Sequence, residues 1–344
     1  MGASIYHQTM TAWRNSLRWQ IRQAGFTNEA ALDDLQGGSE AVLVCGSSPE
    51  ANLEILAGVM LDIAPVACLP NMGDLAWGIV GAWDAAGTAA DSRHGALAVD
   101  PIGVAGQLGP AGEAALISIA SSCAGGAAQV RSVGVSTVSG TADAGGSAPE
   151  DPAYDVGVSI SIGIAYLRAM VDGGLSATDA AQQIEFRYKA TANQFVSIAK
   201  LRAARRLWAR VLEVSAVDSE VQQQQWVVVG SPATDEWRDV LANTSACFAA
   251  GVGGADAITV LPLEVNSDRS CRLALNTHHL LLDEAHVSEF VDVAAGADHI
   301  ETLGERIAQE AWQLVQAIEQ ADGMAEVLDV GKLDAIKQAW RPAA

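Results

Sequence analysis

The chain has 344 residues, half of them hydrophobic, with 41 acidic against 20 basic side chains and a formal net charge of −21. That length buries a sizeable core, either as one large α/β domain or as two smaller ones, and the composition excludes disorder. The acidic excess argues against nucleic acid as a partner, because that affinity rests largely on Lys and Arg neutralising phosphates. No stretch approaches the roughly 20 uncharged apolar residues of a membrane span, so a soluble protein with no membrane partner is expected.

The N-terminal stretch "MGASIYHQTMTAWRNSLRWQ" lacks the basic start and apolar run of a secretory signal. Cys45, Cys68, Cys123, Cys247 and Cys271 are odd in number and never in CxxC spacing. Reduced thiols in a cytoplasmic protein are the expectation.

In chain order, residues 1–40 read as a helical lead-in. Short β-branched runs then follow at "AVLVCG" (41–46), "PVACLP" (65–70), "ALAVDP" (96–101), "RSVGVSTV" (131–138), "IEFRYKA" (184–190), "WVVVGS" (226–231), "AITVLP" (257–262) and "EFVDVA" (289–294). Between them lie segments with apolar residues three and four apart, the helix period, as in residues 52–63, 113–123, 156–171, 194–214 and 305–321. Alternating strands and helices imply right-handed crossovers and a parallel sheet. Eight such units suit a closed (β/α)8 TIM barrel over residues 41–324, with strands apolar on both faces and a C-terminal helix over 325–344. An open doubly wound sheet is the alternative.

In such a barrel, chemistry comes from the C-terminal ends of the strands. Those ends carry Cys45, Gly46, Ser47 and Ser48, then Asn71, Asp100, Ser136, Thr137 and Ser139, followed by Lys189, Thr191, Ser231, Glu264 and Asp292. A general acid and base pair would want His or paired carboxylates converging there, and no His does. His278 and His279 are adjacent on a helix and point apart, while His279 and His286 are seven residues apart rather than four, so a metal site is not expected. "GVGGAD" (251–256) follows a helix and precedes a strand, the reverse of a phosphate-binding fingerprint, and reads as a helix end.

Several ordered motifs then carry a resemblance. They are "WQIRQAGF" (19–26), "DPIGVAG" (100–106), "IGIAYLRAMV" (162–171), "QFVSIAKLRAARRLWARV" (194–211), "CFAAGVGGADAITVLPLE" (247–264), "LALNTHHLLLDEAH" (273–286) and "AQEAWQLVQAIEQADGM" (308–324). Together they resemble the barrel of the methylmalonyl-CoA mutase family, whose members carry "GVxYLRA" and "FxxIAKLRAARxLWA" helices. The resemblance implies a TIM-type acyl-CoA mutase barrel.

Catalytic members have a Tyr-His pair in "GYHxxEAGA", where this chain reads "GTADAGGSA" (140–148). They have an Arg in "RLSFF", where this chain has Gln183 in "QIEFR" (183–187). Their "RTHSQTSG" and "IARNTQ" correspond here to "VVVGSPATDEW" (227–237) and "LALNTH" (273–278). The DxHxxG signal of a cobalamin-binding domain is missing too, so no such domain is expected.

These differences resemble the non-catalytic small subunit of heterodimeric mutases, whose chains also read like "QIEFRxxATxxQF". The resemblance implies a non-catalytic barrel subunit, inactive alone, paired with a catalytic large mutase subunit that carries adenosylcobalamin. This chain itself is expected to contribute no catalytic, cofactor-binding or metal-binding residue and to bind no cofactor. The alternatives are a split mutase barrel that binds the CoA thioester and takes cobalamin from a separate chain, and a diverged binding module.

One segment stands out against the acidic background. "IAKLRAARRLWARV" (198–211) gathers Lys200, Arg202, Arg205, Arg206 and Arg210 onto one helix. Arg202, Arg206 and Arg210 fall four apart on one face, and Arg210 can reach Glu213. The segment reads as a scaffold helix that carries positive charge into an acidic shell.

Overall fold

The computed structural model describes residues 18–124, 129–137, 151–230, 235–264 and 267–340. Eight parallel strands close into a barrel in sequence order. They are β1 (Gln20–Gly25), β2 (Ala41–Val44), β3 (Val66–Cys68), β4 (His94–Val99), β5 (Gln129–Ser136), β6 (Ile184–Lys189), β7 (Gln224–Val229) and β8 (Ala257–Val260). Closure is made by Gln20 and Ile21 of β1 pairing with Ala257 and Ile258 of β8.

The helices that cover the barrel are α1 (Asn28–Gln36), α2 (Pro49–Ile55), α3 (Asp74–Ala85), α4 (Pro101–Ala105), α5 (Gly109–Ala124), α6 (Pro152–Asp172), α7 (Ala177–Gln182), α8 (Gln194–Val214), α9 (Glu236–Val252), α10 (Asp268–His279) and α11 (Asp298–Gln320). Most start on a side chain that accepts from a backbone N–H otherwise without a partner. Thr27, Ser48, Asp100, Asp151, Ser176, Asn193, Asp235 and Ser267 all do this.

The expected barrel is present, but its strands are counted from an earlier start. β1 lies within the segment taken as helical lead-in, and α1 is the helix found there. The sequence hides β1 because its lumen-facing Arg22 and its outward-facing Gln23 are both polar, although Arg22 and Gln23 are both buried. At the other end, "EFVDVA" (289–294) forms turns, not a strand. The barrel is already closed there, so no strand edge is left for it to pair with, and Phe290, Val291 and Val293 stay exposed. The expected C-terminal helix is two short ones, α12 (Met324–Asp329) and α13 (Leu333–Trp340), parted at Gly331 where φ is +65°.

The core has two parts. The larger lies between strands and helices and includes Ile21, Val42, Val44, Phe186, Tyr188 and Trp208. The smaller fills the barrel with Ala24, Leu43, Ala67, Leu69, Ala96, Trp226, Val228 and Ala257. Its many alanines leave room for larger side chains from β6 and β7.

α6 is long and apolar enough to cross a membrane by composition, yet 78% of its apolar window is buried inside the protein, as suits a core helix. It approaches β6 and α8 closely at Gly163, where a Cβ would lie 2.7 Å from Phe186 and 2.9 Å from Trp208. On β4, Gly95 has φ +152° and a Cβ there would meet the Val66 carbonyl at 1.9 Å, so this close strand contact requires glycine.

Candidate functional site

At the barrel mouth, most of the strand-end groups are tied into the protein's own structure. After β2, Cys45 is half-buried and its thiol is pushed up to about 12 by burial, which removes the thiolate a nucleophile needs. Gly46 N–H donates to Asn52 at 2.8 Å, and Ser48 caps α2. Asn71, after β3, donates to the Leu69 and Leu97 carbonyls at 3.0 and 2.8 Å and accepts from Gly73 N–H at 2.8 Å. Asn71 therefore braces the turn into α3.

Asp100, after β4, caps α4 by accepting from Gly103 N–H at 2.9 Å, and accepts from the Tyr166 hydroxyl at 2.6 Å. Tyr166 comes from the "AYLRA" part of α6 and itself accepts from Ile102 N–H at 2.7 Å. Burial raises the Asp100 carboxyl to about 6, against the lowering effect of these donors. Its second oxygen, Oδ2, is buried and has no hydrogen-bond partner among the described residues.

The hydroxyl of Thr137, after β5, donates to Asp155, whose other oxygen accepts from Lys200 Nζ at 2.8 Å. Lys200 also donates to the Lys189 carbonyl at 2.8 Å, so α6, α8 and the ends of β5 and β6 are locked by one buried cation. Thr191 N–H donates to Ser197 at 3.0 Å. Glu264 is exposed, and Asp292 lies in the turns before α11 rather than in a strand or directly after one. Ser139 and Ser231 lie outside the described residues, as does "GTADAGGSA" (140–148).

Sequence reasoning missed the groups inside the barrel. Along β6, Ile184, Phe186 and Tyr188 face the helices, which leaves Glu185, Arg187 and Lys189 on the lumen face. The expectation of strands apolar on both faces fails here. Arg22 of β1 crosses the lumen to Glu185 with hydrogen bonds of 2.9 and 2.8 Å. Trp226 of β7 lies under two guanidinium groups, with Arg22 at 5.4 Å and Arg187 at 4.8 Å from its ring centroid. Its Nε1 donates to Thr259 of β8 at 2.9 Å, which fixes the ring.

Gln183, where catalytic mutases carry an Arg, is buried and accepts from the Ser132 hydroxyl at 2.8 Å. The neutral amide is thus held by a neutral partner. Strict alternation in "IEFRYK", apolar at one parity and charged at the other, was the available signal for the lumen charges.

The histidines do not gather. His278 is fully buried behind the sheet, where its Nδ1 accepts from Trp19 Nε1 at 3.1 Å and lies 3.8 Å from the Cys247 sulfur. Burial lowers it to about 3, so it is a neutral core residue. His279 contacts Asp283 and the Gly37 carbonyl, and His286 contacts Glu289. Among the described residues no group of three potential ligands could hold a metal.

The basic helix differs from expectation. Lys200, Arg202 and Arg205 are buried rather than presented to solvent. Arg202 bonds to Asp292 and, at 2.7 Å, to Glu301. Arg205 donates to the Gln223 and Gly254 carbonyls at 2.6 and 2.8 Å and to Asp256 at 3.0 Å. Arg206 pairs with Glu305 at the surface, and Arg210 pairs with Glu213 at 2.6 Å as the spacing predicts. The positive charge is answered group by group within the fold instead of being displayed.

Comparison with known proteins agrees with this scaffold. The family model described as methylmalonyl-CoA mutase matches residues 111–339. The chain is 39% identical over 345 residues to the methylmalonyl-CoA mutase small subunit of Streptomyces virginiae, covering 94% of this chain and 55% of that protein. It is 29% identical over 349 residues to the small subunit of Propionibacterium freudenreichii subsp. shermanii, covering 95% and 53% respectively. The large subunit of Streptomyces virginiae is 29% identical over 201 residues, covering 55% of this chain and 26% of that protein. The chain spans about half the length of the small subunits it matches.

Proposed function

The chain belongs to the methylmalonyl-CoA mutase family, and on that premise we propose that it is a catalytically silent barrel subunit, paired with a large mutase chain that rearranges the acyl-CoA. The observation that carries this reading is the Arg22–Glu185 pair spanning the lumen beneath the mouth, with Trp226 against it. A thioester extending along the barrel axis would have to displace a buried, doubly hydrogen-bonded ion pair. Losing one partner of such a pair costs about 3–5 kcal/mol, which disfavours opening the path.

The neutral Gln183 and the engaged strand ends support the same reading. The engagement of Asn71, Asp100 and Thr137 by the protein's own groups, which does not suit them to hold adenosylcobalamin, supports the reading that the partner carries it. No step of the rearrangement is assigned to this chain. The likeness to proteins named small subunit supports a heterodimer, and the free cysteines Cys45, Cys68, Cys123, Cys247 and Cys271 support a reducing, cytoplasmic setting.

The test is to purify the chain alone and together with a large mutase subunit. Co-elution as a complex, with mutase activity in the complex and none in the isolated chain, is the expected result. A chain that remains separate from that subunit, or that turns over acyl-CoA by itself with added adenosylcobalamin, would overturn the reading.

A further inference from the structure

We propose that the outer face formed by the starts of α8 and α9 and the turns at 289–293 is the surface on which the large mutase chain docks. The inference rests on the subunit reading above and adds where on this chain the contact is made.

A single exposed apolar side chain needs no explanation, but a group of exposed aromatic ones does. Trp237 is 74% exposed, Phe290 71% and Leu241 69%, the three highest values for large apolar side chains among the described residues. Of the four exposed Phe and Trp side chains described, Phe195, Trp237 and Phe290 lie on this face, and Trp77 lies on α3. Aromatic anchors of this kind carry much of the binding energy at protein interfaces.

The fold gathers these groups on one side of the barrel. Trp237, Leu241 and Ser245 follow at four-residue steps along one flank of α9. Ser245 Oγ accepts from Gln194 Nε2 at 2.7 Å, and Gln194 is the first residue of α8. The first two turns of α9 thus reach past the start of α8, which offers Trp237 and Leu241 no cover. Phe195, next to Gln194, meets the His299 ring edge-on at 5.4 Å. Asp292 turns in to Arg202 of α8, while its neighbours Phe290, Val291 and Val293 are left facing out.

Charge decides between a second copy and a different chain. The exposed charges that flank these groups and His299 in the chain are Asp235, Glu236, Arg238, Glu289 and Asp298, four acids to one base, and Arg269 of α10 pairs with Glu236. Asp292 and Glu301 share the single guanidinium of Arg202. A two-fold contact between copies would set this acidic rim against itself and join two chains of formal charge −21. A chain that presents an apolar patch bordered by Lys and Arg meets neither obstacle, and the large mutase chain is the partner to which we assign that surface.

The test uses the full chain and the large subunit of the co-elution experiment. Leu241→Cys and, between α2 and β3 on another side of the barrel, Ile63→Cys are labelled with a maleimide, with and without the large subunit, and the modified peptides are followed by mass spectrometry. Expected is fast labelling of both variants in the isolated chain, and protection of Leu241→Cys alone in the complex. Trp237→Ala should weaken the complex at least about tenfold, as loss of an aromatic anchor does, while Ile63→Ala leaves it unchanged. A complex in which Leu241→Cys stays reactive, or in which Trp237→Ala binds like the parent, overturns this face and leaves the subunit reading standing. Slow labelling of Leu241→Cys in the isolated monomer, or labelling that slows as the chain is concentrated, would mean that the chain itself or a second copy covers the face, and overturns the assignment. No complex with the parent chain overturns the subunit reading and this inference together.

Discussion

Arg22 on the first strand and Glu185 on the sixth meet inside the barrel through two hydrogen bonds of 2.9 and 2.8 Å, both side chains being buried. This pair is set against Trp226 and occupies the space that small alanines on the neighbouring strands leave open. Its removal should therefore be felt twice, as lost packing and as an unpaired buried charge. Glu185→Gln or Arg22→Met alone should destabilise the protein by about 3–5 kcal/mol. The double variant Arg22→Met with Glu185→Leu should recover much of that loss, since neither charge is then stranded. Urea unfolding of the three variants checks this, and single variants no worse than the double one would contradict it.

Two cations of the same helix should differ sharply. Lys200 is buried between Asp155 and the Lys189 carbonyl, whereas Arg210 meets Glu213 in solvent. Lys200→Met strands the Asp155 carboxylate and should cost about 3–5 kcal/mol. Arg210→Ala removes an exposed helical pair and should cost about 0.2–0.5 kcal/mol. Parallel denaturation curves would show the contrast, and equal effects would refute the assignment of Lys200 as an internal lock.

Asp100 should give a pH dependence of unusual sign. Its folded value is raised to about 6 by burial from an ordinary 3.8, so between those values the folded state holds the proton that the unfolded chain has lost. Stability from this group is full below about pH 4 and declines as the pH rises through about 6. Asp100→Asn, which can still accept from Tyr166 and Gly103, should remove that slope and be more stable than the parent at pH 7. Chemical denaturation between pH 4 and 7 reads it directly.

His278 should act in the opposite direction. Burial lowers it to about 3 from an ordinary 6.5, so its contribution is full above about pH 6.5 and is lost as the pH falls toward 3. Because the slopes from Asp100 and His278 oppose each other between about pH 4 and 6, the parent protein alone will show a muted profile. His278→Gln, which can keep an acceptor for Trp19, should lessen the acid-side loss. A variant with the parent's full acid-side slope would show that the imidazole is not held neutral.

How far the sequence could be read depended on whether a partner was near in the chain. Alternating apolar runs located seven of the eight strands, and the pairing of Arg210 with Glu213 followed from a three-residue step. β1 escaped notice because its lumen-facing Arg22 answers Glu185, 163 residues away, and without that partner "QIRQAG" reads as a polar segment. Asp292 looked like a strand-end carboxylate because "EFVDVA" alternates like a strand. It is instead the partner of Arg202, 90 residues earlier in the chain. The basic helix looked like surface charge for the same reason: of its acidic partners, Asp155, Asp256, Asp292, Glu301 and Glu305 are each brought in by distant elements, and only Glu213 is local. The family resemblance pointed correctly to the scaffold, while the lumen contacts became visible only once the barrel was closed.

The central claim is that this lumen does not admit a CoA thioester. Equilibrium binding of methylmalonyl-CoA and succinyl-CoA to the isolated, folded chain addresses it most directly, with the Arg22→Met/Glu185→Leu double variant as the comparison. Expected is no saturable binding of either thioester to the parent chain at millimolar ligand. Saturable, stoichiometric binding of either thioester to the parent chain would contradict the claim and favour a barrel that receives the substrate itself.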